Sequence, residues 1–243
     1  MKQGRLSVCL VLVSLMFLLP MFAQVATTTS YDSLMIDDFD QSHGDVDWVW
    51  YVQGSRYIAE GYPKMQYFEG APNSVKYLQK DGVVGKVLGV EAAFNRKGDN
   101  WLEIFPAKKD ANGKYVPYNL TLAGDIDHID VWVWGAGYPY NLDLLLRDAD
   151  GRVHAVPMTK LSYIGWKNIK TYIPKWMIQR SKYRSGAKSL RFVGFRVRTE
   201  PYAPVDIFTI YFDQLKYLSN TFADIYDGYD FDSKVFDEKG AGL

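Results

Sequence analysis

Thiol and imidazole chemistry are almost missing from this chain, whose 243 residues include one cysteine and three histidines. Cys9 lies inside an N-terminal apolar run, so the remainder has no thiol for a disulfide, a redox couple or a thiolate metal ligand. His43, His128 and His154 stand far apart in sequence, each in a different presumed strand or loop. There is no nucleophile elbow, phosphate loop, zinc spacing or dinucleotide fingerprint. Glu60, Glu69, Glu91 and Glu103 supply carboxylates, yet no spacing singles out a pair of the kind a glycosidase needs. The residues therefore read as non-catalytic, with no cofactor and no assigned metal ligand.

The N-terminus has the layout of an export signal. Lys2 and Arg5 precede an apolar run from Leu6 to Leu19, followed by Pro20 and the short Met21-Phe22-Ala23. Cleavage is expected after Ala23, because the run is shorter than the roughly 20 residues that cross a bilayer. The expected organisation is a signal peptide over 1–23, one sandwich domain over 24–218 and an acidic, aromatic tail over 219–243. No Pro-, Ser- or Gly-rich linker interrupts residues 31 to 218. The mature chain is expected in the periplasm, with no membrane insertion.

Loss of Lys2 and Arg5 from 28 basic side chains leaves slightly fewer bases than the 28 acids, which excludes a bulk signature of nucleic-acid binding. The distribution is uneven. Acidic residues are absent from Gly151 to Thr199, a stretch that contains Lys160, Lys167, Lys170, Lys175, Arg180, Lys182, Arg184 and Lys188. Both ends are the reverse, with Asp32, Asp37, Asp38, Asp40, Asp45 and Asp47 at the start and Asp224, Asp227 and Asp230 among the acids of the tail. Two explanations compete: neutralisation between neighbouring strands of one molecule, or contact with an acidic neighbour in an assembly.

Strand signals dominate. Short windows alternate apolar and polar residues, rich in Val, Ile, Tyr and Trp and bounded by Gly, Asn, Asp or Pro. Strands are expected at Leu34 to Phe39, Val87 to Phe94, Asn100 to Phe105, His128 to Trp134 and Trp166 to Ile173. Val46, Trp48, Trp50 and Val52 share one face of a further strand. Asn141 to Arg147, the turn Asp148-Ala149-Asp150-Gly151 and Arg152 to Val156 form an expected hairpin. The inward phase shifts at Gly194 and again near Asp213 to Leu215, so a bulge is expected at each. Lys175 to Arg180, following Pro174, is the expected short helix. The whole is an all-β chain, an antiparallel sandwich or jelly roll with an extended C-terminal tail.

Aromatic residues supply the binding clue. Trp132 and Trp134 share one face of a strand whose other face carries Ile129, Val131 and Val133, so both faces need cover. One packs in the sandwich; the other calls for a connection, a sugar ring or a partner molecule. Trp101 and Trp166 are expected in the core. Tyr226 and Tyr229 belong to a tail whose rings favour docking on a surface. Ile36-Asp37-Asp38-Phe39 and Tyr211-Phe212-Asp213-Gln214-Leu215 resemble the first and last strands of carbohydrate-binding jelly rolls, where such acids help hold a structural calcium. Here the Asp oxygens fall short of the roughly six to eight that calcium takes, leaving the rest to carbonyls and water.

Longer strings point to one family. They are Ile36 to Asp40 (IDDFD), Ala93 to Trp101 (AFNRKGDNW), Arg147 to His154 (RDADGRVH), Gly165 to Asn168 (GWKN), Phe192 to Arg196 (FVGFR), Phe208 to Leu215 (FTIYFDQL) and Ile225 to Tyr229 (IYDGY). In order, over nearly the whole mature chain, they resemble the flagellar filament outer layer (sheath) proteins of spirochaetes. The resemblance implies a subunit of the periplasmic flagellum that coats a flagellin core, alone or with other sheath subunits, with no catalytic residues. Its expected assembly contacts are the basic residues from Lys160 to Lys188 named above, together with Trp132, Trp134, Tyr226 and Tyr229. The alternative is a periplasmic carbohydrate-binding module that stacks sugar on Trp132, Trp134 or Tyr138.

Overall fold

A computed structural model describes residues 30–40, 47–77, 84–180 and 189–221, and these form two antiparallel sheets packed face to face. The first sheet runs β11 (Ile164–Tyr172), β8 (Asp125–Ala136), β13 (Phe208–Asn220), β4 (Lys86–Ala92) and β3 (Lys64–Glu69), with β1 (Tyr31–Asp37) also paired to β13. The second runs β10 (Val153–Lys160), β9 (Asn141–Arg147), β12 (Arg191–Arg198), β5 (Trp101–Lys109) and β2 (Val49–Gly54). The short strands β6 (Tyr115–Pro117) and β7 (Leu120–Thr121) pair with β5 and β12. Strand β13 pairs with β8 along one side and is shared along the other, its first half by β4 and its second by β1.

Alternation places the core. Val131 and Val133 of β8, Ile210 and Phe212 of β13, Leu88 and Val90 of β4 and Leu142, Leu144 and Leu146 of β9 are all fully or almost fully buried. Aromatic rings tie the sheets together. Phe195 of β12 stacks on Phe212 of β13 at 4.8 Å and on Trp50 of β2 at 6.2 Å, and Trp50 meets Phe39 at 5.5 Å. The Trp50 indole N–H donates to Asp37 Oδ2 at 2.6 Å, and Asp37 Oδ1 accepts from the Phe39 backbone N–H at 2.9 Å. These bonds hold Phe39, fully buried, at φ 60°, a left-handed conformation that costs a non-glycine residue about 1–2 kcal/mol.

Both expected bulges are present. Register shifts between Phe192 and Gly194, where a Cβ on residue 194 would lie 2.5 Å from the Ile104 carbonyl oxygen, so only glycine lets β12 approach β5. The second shift falls between Asp213 and Lys216, with Gln214 at φ 51°. The hairpin pairs Val153 with Arg147 across the expected turn.

Three expectations need correction. Lys175 to Arg180 is a turn, closed by the Met177 N–H donating to the Pro174 carbonyl, and Arg180 makes an isolated bridge to Ser189. A helical turn sits instead at α1 (Asn73–Lys76), where Val75 is buried. Trp101 and Trp166 are outside the core, each only partly buried. Alternation is the reason for Trp166, since Ile169 and Thr171 take the inward phase of β11 and Trp166 takes the outward one.

Candidate binding face

The outward face of the first sheet is built by phase. On β8 the inward set Ile129, Val131 and Val133 forces Trp132 and Trp134 outward, and both are partly exposed. Cross-strand pairing then sets Trp166 of β11 beside Trp134, and Asn168 beside Trp132. On the other flank of β8, Tyr211 of β13 pairs with Trp134, with ring centroids 5.3 Å apart and edge to face. Phe68 of β3 meets Tyr211 at 5.5 Å, again edge to face. Between them β4 carries Gly89, where a Cβ would lie 2.6 Å from the Phe68 ring and 2.7 Å from the Tyr211 ring. Glycine is therefore what allows the two rings to close over β4.

The result is an aromatic band, Phe68, Tyr211, Trp134 and Trp166, crossing the sheet from β3 to β11, an extent of roughly 19 Å across its hydrogen-bonded strands. Two depressions flank the Phe68–Tyr211 pair. One is an open depression lined by Trp134, Trp166, Tyr211 and Phe68 with Val87, Glu69 and Lys76, with a volume of about 330 Å³. The other is lined by Gln66, Gly89, Glu91 and Thr209 among others and encloses about 150 Å³. Towards the far end of the face, Asn168 donates to Asp130 Oδ1 at 3.2 Å, and Lys216 lies 3.8 Å from the same oxygen. Of the residues marked by sequence, Trp132 and Trp134 lie on this face. Tyr138 lies outside it, packed against Tyr140 with its hydroxyl donating to the Ile207 carbonyl at 2.7 Å.

The basic segment divides in two. Lys160 pairs with Glu200 at 2.7 Å and holds that carboxyl below its usual range by hydrogen bonding; Arg180 lies 3.0 Å from Asp125. Arg196 forks onto Glu103, and Arg198 onto Asp143, which is almost fully buried. These bases are neutralised within the molecule. Lys167 and Lys170 on β11 and Lys175 beyond it make no ion pair among the described residues, although Lys167 sits 4.2 Å over the Tyr163 ring. Lys182, Arg184, Lys188, Tyr226 and Tyr229 lie outside the described residues.

The acids of β1 and β13 meet where β13 passes from β4 to β1. Asp37 is engaged by Phe39 and Trp50, Asp38 by the Asp40 N–H, and Asp40 by the Lys86 N–H. Asp213 is 1% exposed and its Oδ1 has no hydrogen-bond partner. Burial first, and repulsion from Asp40 second, push its carboxyl up to about 8. Among the described residues no three acidic, histidine or cysteine side chains converge as metal ligands.

Residues 28–227 match the family of the flagellar filament outer layer protein FlaA. The chain belongs to this family. A relative from Brachyspira hyodysenteriae, described as a flagellar filament outer layer-like protein, is 25% identical over 206 residues, covering 82% of this chain and 84% of its own length. Solved structures of similar architecture include the family 11 carbohydrate-binding module of a Clostridium thermocellum cellulosomal cellulase. It is 14% identical, covers 77% of this chain and 95% of the module, and has a TM-score of 0.36. A xylan-binding domain of family 22 is 13% identical over 80% and 97% of the two chains, at a TM-score of 0.34. FlaA membership matches the resemblance read from the strings Ile36 to Asp40 through Ile225 to Tyr229.

Three members of the aromatic band, Phe68, Tyr211 and Trp166, were not assigned to a binding face from the sequence. Tyr211 and Trp166 were recoverable from phase alone, since each alternates with residues placed inward. Phe68 and Gly89 carried no such signal, because their juxtaposition depends on the β3–β4 register.

Proposed function

We propose that this FlaA-family chain coats a flagellin-built core in the periplasmic flagellum, docking through the edge presented by β11. The carrying observation is that Lys167, Lys170 and Lys175 remain without an ion pair among the described residues, on an edge that also exposes Ile164, Tyr172 and Trp176. Unpaired bases beside exposed apolar side chains suit an acidic partner with an apolar contact. Lys160 and Arg180, engaged by Glu200 and Asp125, contribute less. Trp132, on the adjoining face, extends the contact, and sheath subunits of the same or related kind complete the layer.

The test is co-sedimentation of the mature chain with filament cores stripped of their outer layer, at low and high ionic strength. The triple variant K167E/K170E/K175E is expected to lose most of its low-salt association, while the native chain loses it on raising the salt. Equal sedimentation of variant and native chain at both salts would exclude this edge.

A further inference from the structure

The β11 edge leaves the aromatic depression of the same sheet unused. Four rings, Phe68, Tyr211, Trp134 and Trp166, line a cup of about 330 Å³ whose base is the buried Val87 and whose rim carries Glu69 and Lys76. The space lies at the small end of ligand sites, about 300–1,000 Å³. A stable protein interface engages roughly 20–30 residues a side, whereas nine residues line this depression. A planar-faced ring fits it; a folded surface does not.

The chemistry of the lining narrows the ligand. Partly exposed aromatic rings offer faces and edges to C–H surfaces, and hydroxyl groups find a donor in Lys76 and an acceptor in Glu69. Neither rim residue makes an ion pair among the described residues, so both remain free to bond a ligand. One acid and one base leave the rim neutral, which disfavours a polyanion; Lys76 also opposes capture of an organic cation by the rings. Past the Phe68–Tyr211 wall the second depression offers the amide of Gln66, the hydroxyl of Thr209 and the Lys64–Glu91 ion pair, 3.3 Å apart. An apolar ring platform flanked on both sides by uncharged or balanced polar groups is the complement of a pyranose chain.

We infer that the aromatic cup formed by Phe68, Tyr211, Trp134 and Trp166 is a binding site for a neutral oligosaccharide. One sugar sits among the four rings, and its neighbour crosses Tyr211 towards Thr209 and Gln66. Gly89 is a positioning residue: by having no side chain it lets Phe68 and Tyr211 close into the wall between the two subsites. This site does not depend on the coat function, since its residues are distinct from the lysines of the β11 edge.

The test is titration of the mature chain with neutral tetrasaccharides of glucose, xylose, mannose, galactose and N-acetylglucosamine, followed by tryptophan emission and calorimetry. At least one is expected to bind saturably with a Kd of about 1 mM or tighter. Trp134→Ala and Trp166→Ala should each weaken it tenfold or more, and Trp101→Ala, on the other sheet, should leave it unchanged. Trp134→Phe, which keeps a ring on the face, should retain part of the affinity and guards against misfolding of the alanine variant. The inference is overturned if none of the five saturates by about 10 mM, if binding survives both alanine substitutions, or if Trp101→Ala weakens it equally. Filament association that depends on Trp134 with no sugar bound would likewise assign the cup to a protein partner. Sugar binding by a chain that never sediments with filaments would keep this inference and overturn the coat function.

Discussion

Asp213 is a buried acid with other acids close by. Its carboxyl is buried, lacks a hydrogen bond at Oδ1 and lies near Asp40, Asp38 and Asp37, so its folded-state value rises from 3.8 to about 8. The sign follows from linkage. Between these two values the folded chain keeps a proton that the unfolded chain releases, so this group favours folding at low pH and the benefit declines as pH climbs through 4 to 8. Asp213→Asn, a neutral mimic of the protonated acid, is therefore expected to be more stable than the native chain at pH 8, by at least about 1 kcal/mol, and similar to it at pH 4. Thermal melts at both pH values check this; a native advantage at pH 8 would mean that the ionised carboxylate is satisfied.

At the scale of elements, the second sheet is strapped by arginine forks. Arg198 on β12 reaches Asp143 on β9, and Arg196 reaches Glu103 on β5, joining neighbours on either side of β12. Asp143 is nearly fully buried whereas Arg198 is about half exposed, so solvent screens part of the attraction. Arg198→Leu leaves the buried carboxylate without its partner and is expected to cost about 2 kcal/mol, below the 3–5 kcal/mol of a fully buried pair. The double variant Arg198→Leu with Asp143→Leu should recover most of that loss, since it removes the stranded charge. Denaturant melts of the two single variants and the double form the cycle.

Element identity was legible where a strong alternating pattern met a buried face, as in Trp50 and Val52 on β2 or Val131 and Val133 on β8. Elements whose form depends on distant cover were not. Lys175 to Arg180 has the spacing of a helical turn, yet its backbone closes around Pro174 and Arg180 bonds Asp125, so tertiary contact overrode local preference. Trp166 shows the same limit in another form. A large apolar side chain suggests a core position although the phase of Ile169 and Thr171 sends it outward, and only the register of β11 against β8 reveals that Trp134 is its neighbour there.

At the scale of the whole molecule, the described residues share one hydrophobic cluster to which both sheets contribute, with Trp50, Phe195 and Phe212 stacked through it and β13 shared by three neighbours. Such sharing predicts one cooperative unfolding transition, with tryptophan emission and far-ultraviolet dichroism coincident. Separate transitions would indicate that the sheets fold independently. Family and architecture followed from the sequence by itself, because the ordered strings and the period-two alternation are local properties of the chain. The partition of charge and the aromatic cup were decided only by tertiary structure. Whether Lys160 or Lys170 is neutralised depends on which strand lies opposite, and four rings from β3, β13, β8 and β11 become one site only through pairing across sequence distances that no local pattern encodes.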